Sequence, residues 1–185
     1  SSAYAGADIN IKDTWKTLTA GDPSVIVAVV DQGVDYTHPD LVPNMWVNEA
    51  EKNGKPGVDD DGNGYVDDVH GFNFVDGEGD INYDKSQDFD TGHGTHCAGI
   101  IGAVNNNGIG MAGVAGGTGN NDGVRIMSCQ IFSKGYGGET RYSSRAIKYA
   151  ADNGASVISC SYGYPGGTFM SDGEFLREDG AEAAA

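Results

Sequence analysis

Basic side chains are scarce in this 185-residue sequence: 11 Lys and Arg stand against 27 Asp and Glu, a formal net charge of −16. Phosphate contact needs clustered Lys and Arg, so nucleic acid is excluded as a partner class. Long apolar runs are missing as well. The longest, "VIVAVV" at Val25–Val30, has the length of a strand, so no membrane-spanning segment is expected. Cysteine occurs three times, at Cys97, Cys129 and Cys160, without the close-pair spacing of a zinc site. The odd count leaves at least one without an intrachain disulfide, and their apolar neighbours predict buried thiols. The opening "SSAYAG" carries no leader pattern and fits the start of a processed or engineered chain.

What is present is globular. Hydrophobic residues make up 38% and charged residues 21%, and the length suits one domain over residues 1–185. An acidic surface fits an extracellular protein or a calcium binder. "IKDTWKTL" places Ile11, Trp15 and Leu18 at helical spacing. "VIVAVVD" reads as a strand buried on both faces, and "VRIMSCQIF" and "SVISCSYG" read alike. Residues 44–90 read as a long loop region with short strands such as "GFNFV". Small apolar residues from Gly94 to Val104 predict a tightly packed helix. "SSRAIKYAADNGA" predicts another, capped by Ser143 or Ser144, buried through Ala146, Ile147 and Ala150, and ended by Gly154. Alternating strands and helices argue for an α/β fold with a parallel sheet and right-handed crossovers. The alanine-rich end "EDGAEAAA" looks like a helix cut short, so the chain is expected to be incomplete.

Two stretches carry chemistry. Asp31 closes the first strand, where ligands and catalytic groups gather in open α/β sheets. "DTGHGTHCAG" supplies His93 and His96, three residues apart. Taken alone they are metal ligands, structural histidines or parts of a proton-transfer device; zinc is disfavoured because no third ligand lies at familiar spacing. The second stretch is "DDDGNGYVDD", Asp59 to Asp68, which alternates hard oxygen donors along a glycine-bearing loop, as Ca²⁺ requires. Asp59, Asp61, Asn63, Gly64, Tyr65 (through its carbonyl) and Asp67 occupy positions one, three, five, six, seven and nine of an EF-hand template. Position twelve is His70 and no helices flank the loop. It is a calcium-loop candidate with Asp68 as a replacement ligand, preferred over a solvated acidic turn.

"VAVVDQGVDYTHPDL" followed by "GHGTHCAGIIGA" resembles the subtilisin-like serine proteases, and the later segments follow in that family's order from about Val25 to Gly163. The resemblance implies a parallel sheet with helices on both faces, incomplete at the C-terminus, and a peptide-hydrolysing Asp/His/Ser triad. Of that triad Asp31 would orient His93, and His93 would act as general base toward a serine. It makes His96 mainly structural, packed behind the site, and leaves Cys97 a buried thiol. It implies that Gly135, Tyr136 and Gly137 pair with extended polypeptide substrate and that Ser161, Tyr162 and Gly163 line a specificity pocket. It also implies a second Ca²⁺ site from Asp40, Asn106 and the carbonyls of Val104, Ile109 and Met111.

Two departures stand out. Gln32 occupies a position that is usually Thr or Ser. No "GTSxA"-like nucleophile motif or oxyanion asparagine is present, and Ser171 is rejected because no small-residue helix follows it. The chain is therefore expected to be inactive alone, the N-terminal part of a secreted or extracytoplasmic peptidase completed by a C-terminal fragment. The competing readings are a non-catalytic, calcium-dependent peptide-binding module and a zinc hydrolase using both histidines.

Overall fold

The computed structural model describes residues 8–81, 92–133, 136–137 and 140–163. The apolar run forms β1 (Ile26–Gln32), whose residues 27–31 are all buried. It pairs in parallel with β3 (Arg125–Ser133) on one side and β5 (Val157–Cys160) on the other. The short β2 (Gly71–Asn73) runs parallel to β3 on its far side, giving the order β2-β3-β1-β5. Two residues of β4 (Tyr136–Gly137) pair antiparallel with the end of β3.

Strand periodicity sorts the core into two faces. Ala28, Val30, Met127, Cys129 and Ile131 pack with Ala146, Tyr149 and Ala150 of α4 (Thr140–Asp152). Val29 and Ile126 pack on the opposite side with Ala98 of α3 (His93–Gly102), together with Val34, Leu41 and Met45. Among the described residues, α4 thus covers one face of the sheet and α3 the other, as the alternation of elements predicts.

Four local expectations change. The helix α4 begins at Thr140, and Ser143 is buried within it instead of capping it. Its largest buried side chain is Tyr149, outside the expected apolar set. Among the described residues the strand β5 pairs with β1 alone, and Val157 is 51% accessible there. Of the three thiols only Cys129 is buried; Cys97 is half-buried and Cys160, on β5, is exposed. The first helix, α1 (Ile11–Thr17), buries none of its residues; Trp15 instead reaches the Val114 carbonyl through its indole N–H. Within the long loop region the chain forms α2 (Glu49–Asn53).

Candidate functional site

The site sits at the carboxyl end of the parallel strands. Asp31 is 2% exposed, and the β1–β3 register shifts between Asp31 and Gln32, an irregularity of the kind that re-aims a side chain. One turn of sequence-distant chain meets it there. His93 opens α3, and its Nδ1 lies 2.7 Å from Asp31 Oδ1. An ionised carboxylate only accepts, so Nδ1 carries the proton and donates, which leaves the Nε2 lone pair free to accept one. The imidazole is 46% exposed, open to a reactant, while its carboxylate partner is enclosed.

Local chemistry explains why α3 starts where it does. Gly92, in the left-handed conformation, has no side chain to cap the helix, and Gln32 Oε1 instead accepts the His93 backbone N–H at 3.1 Å. Gln32 thereby ties β1 to the helix that carries the imidazole. Thr95 Oγ1 accepts the Asp35 N–H at 2.9 Å and fastens the next turn. At Gly94 an added β-carbon would collide with the Gln32 carbonyl, so the "GHG" spacing lets helix and strand approach closely.

Cys97, one turn into α3, places Sγ 3.8 Å from His93 Nδ1. Burial pushes its thiol pKa up; the Ser161 hydroxyl opposes that and the Asp31 charge adds to it. His96 is not packed behind the site: it is exposed and lines a separate cavity of about 280 Å³ with His38, Asp40 and Met111. Of the expected substrate-facing residues, Tyr136 and Gly137 form β4 and Gly135 lies outside the described residues. Ser161, Tyr162 and Gly163 follow the carboxyl end of β5. The Tyr162 ring stands edge-on to Phe132 at 6.1 Å.

The acidic loop brings Asp61, Asn63 and Asp68 of the expected set together with Glu51, while Asp59 and Asp67 are engaged elsewhere. Carboxylate oxygens of Glu51, Asp61 and Asp68 lie within 4.8 Å of one another. Asn48 Nδ2 donates to Asp61 at 2.8 Å and to Asp68 at 2.9 Å, and Asn63 Nδ2 donates to the same pair at 3.2 and 3.0 Å. Asp59 instead accepts the amides of Gly62, Asn63 and Gly64, and Asp67 accepts that of Gly57. The Tyr65 ring joins Phe72, Phe74 and Tyr149 in an aromatic cluster. Burial raises the pKa of Asp68, with donors from Tyr149, Asn63 and Asn48 opposing the shift and the Asp61 charge adding to it. Sequence reasoning missed Glu51 and Asn48, whose only signal is the acid- and amide-rich "NEAEKNG" ahead of the loop.

At the second expected calcium position Asp40 is 2% exposed. Its oxygens accept the Asn107 side chain at 2.7 Å and the Met111 N–H at 2.9 Å. Asn107, one position beyond Asn106, therefore faces the carboxylate, while Asn106 donates to the Thr118 carbonyl. Val104 binds the Asp40 backbone through its N–H, and Ile109 is bonded to the Asn107 side chain. Gly110 packs so tightly on Asp40 that a β-carbon would overlap the carboxylate.

Comparison with known proteins gives this geometry its family. The Subtilase family model matches residues 22–184. Subtilisin-like protease 1 of Plasmodium vivax is 38% identical over 161 residues, 86% of this chain and 24% of that protein. The halolysin-like extracellular serine protease Nep of Natrialba magadii is 34% identical over 160 residues, 86% of this chain and 24% of that protein. The chain thus spans about a quarter of the length of these relatives. Among solved structures, a lanthipeptide protease superposes with a TM-score of 0.52 at 26% identity, covering 82% of this chain and 32% of that one. By sequence and by fold, this chain belongs to the subtilase family.

Proposed function

We propose that the chain is the part of a calcium-stabilised subtilisin-like serine endopeptidase that supplies the aspartate and histidine of an Asp/His/Ser triad. The observation that carries the proposal is the 2.7 Å contact between Asp31 Oδ1 and His93 Nδ1 at the carboxyl end of β1. The buried carboxylate fixes one tautomer and stabilises the imidazolium that forms when Nε2 takes a proton. A serine from sequence outside this chain, with an oxyanion-stabilising asparagine, completes the reaction. The serine oxygen attacks the peptide carbonyl, its proton passes to His93 and then to the leaving amine, and water releases the acyl group. Extended polypeptide is the substrate class, paired along β4 and the segment after β5. Secretion is the location that fits, given that the Natrialba relative is named extracellular.

Calcium is the cofactor the acidic loop suits. Glu51 and Asp68 are buried and Asp61 joins them, a hard-oxygen set of clustered negative charge that Ca²⁺ would neutralise. Asp40 with Asn107 is a second candidate. Bound only by the native state, calcium at a hundredfold excess over Kd adds about 2.7 kcal/mol of stability.

In the protein carrying this chain, Asp31→Asn and His93→Ala are each expected to lower kcat by at least ~10³-fold with little change in KM. Unchanged turnover in either variant contradicts the assignment. Peptide binding without turnover in the unaltered protein would favour the binding-module reading.

A further inference from the structure

Asparagine is followed by glycine four times, at Asn53–Gly54, Asn63–Gly64, Asn107–Gly108 and Asn153–Gly154. Such pairs are chemically fragile, because the glycine nitrogen has no β-carbon to shield it from the side-chain carbonyl beside it. A hydrogen bond from the glycine N–H opposes both the loss of its proton and the turn of its nitrogen toward that carbonyl. Gly54 donates to the Glu51 carbonyl at 3.2 Å and Gly154 to the Ala151 carbonyl at 3.1 Å. Gly64 donates to Asp59 Oδ2 at 2.8 Å. Among the described residues the Gly108 N–H has no acceptor, and the space around its α-carbon is open.

We propose that Asn107–Gly108 is a self-modifying site, where the chain deamidates through a cyclic imide and the product loosens the segment joining α3 to β3. The side chain is already arranged for it. Asn107 Oδ1 accepts the Ile109 N–H at 3.0 Å, a turn that folds the side chain back along the Gly108 peptide. The same donor lies on the oxygen where negative charge develops when nitrogen attacks. Asn63 makes the same turn with the Tyr65 N–H at 2.8 Å. The two sites therefore form a matched pair that differs in the glycine N–H, engaged at Gly64 and unengaged at Gly108.

Solvent base removes the Gly108 amide proton, and the nitrogen bonds to Asn107 Cγ. The Cγ–Nδ2 bond then breaks, and the nitrogen leaves as ammonia on a proton from water. Water adds to either carbonyl of the imide and opens the ring, giving aspartate or isoaspartate at position 107. Either product sets a carboxylate against Asp40, which is 2% exposed and accepts Asn107 Nδ2 at 2.7 Å. Like charges so placed repel. Isoaspartate also inserts a methylene into the main chain, shifting the Met111 N–H that meets Asp40 at 2.9 Å. The Asp40 carbonyl holds the Val104 N–H at 2.9 Å, so the disturbance falls where α3 ends. The inference rests on this loop and not on the peptidase reading.

The test needs no variant. The protein carrying this chain is incubated at mildly alkaline pH in chelator, below its Tm there, with a serine-reactive phosphonate to stop self-digestion. Peptides are then mapped by mass. In the native protein, conversion at Asn107 is expected to run at least ~tenfold faster than at Asn53, Asn63 or Asn153, whose glycine N–H groups are released only by local opening. In denaturant that advantage is expected to disappear. Part of the product is expected to be isoaspartate, detected with an isoaspartyl methyltransferase. The aged fraction, separated by its added negative charge, is expected to melt at a lower Tm in chelator than fresh protein. A native rate at Asn107 no greater than at Asn63, an advantage that persists in denaturant, or a product free of isoaspartate overturns the proposed site. Equal Tm for aged and fresh protein overturns the loosening. None of these readouts requires peptide hydrolysis, so their failure is distinguishable from failure of the peptidase reading.

Discussion

Asp31 Oδ1 accepts two donors, the His93 ring at 2.7 Å and the Gln32 amide at 2.7 Å. The second also holds the carboxylate, so its orientation does not depend on the imidazole alone. Gln32 contributes twice, since its side chain also caps α3 at His93. Gln32→Ala is expected to lower stability by about 1 kcal/mol and to reduce kcat through a looser imidazole; a Tm equal to that of the unaltered protein would contradict the capping role. The Asp31 and His93 pairing was legible through the resemblance of "VAVVDQGVDYTHPDL" and "GHGTHCAGIIGA" to the subtilisin-like proteases, whereas the residues taken alone left both roles open. Glu51 and Asn107 were not legible, because their partners are fixed by folding. Glu51 meets Asp61 only once α2 packs on the loop, and a one-residue register ambiguity in "VNNNG" decides between Asn106 and Asn107.

Among elements, β1 and β3 were readable from β-branched apolar runs, and α3 from its small residues. How far β5 is enclosed was not, because among the described residues only β1 pairs with it and an apolar strand reads the same at the centre or the rim of a sheet. The start of α4 escaped for a related reason: serine favours a cap position but tolerates a helix interior, and Ser143 is buried in the finished helix. The helix α4 also joins core to acidic loop, since Tyr149 donates to Asp68 at 2.6 Å. Tyr149→Phe removes a donor to a buried carboxylate and is expected to cost about 1.5–3 kcal/mol, measured by chemical denaturation; a loss below the lower figure contradicts the coupling. The pKa of Asp68 is raised by burial, so in calcium-free protein the native state holds its proton to higher pH than the unfolded chain. Its ionisation therefore destabilises as pH rises through the raised value, and stability recovers as pH falls back toward the ordinary carboxylate range. Denaturation midpoints in chelator, compared between unaltered protein and Asp68→Asn, are expected to show this slope only in the former. An identical slope in both would contradict it.

Across the molecule, the parallel sheet delivers Asp31, the start of α3 and the end of β5 to one edge, while α3 and α4 seal opposite faces. The net charge of −16 is concentrated in part where carboxylates converge, around Glu51, Asp61 and Asp68. Removing calcium is expected to lower Tm, and Asp61→Asn, on an exposed residue, is expected to reduce the increment that calcium restores. A calcium response that Asp61→Asn leaves intact would move the ion elsewhere. The central claim is that His93 serves as base to a serine supplied outside this chain. Its most direct test labels the protein from its native source with a serine-reactive phosphonate and reads the adduct by mass. The account predicts one adduct, on a serine outside residues 1–185, lost in His93→Ala. No adduct anywhere, or an adduct indifferent to His93, would contradict it.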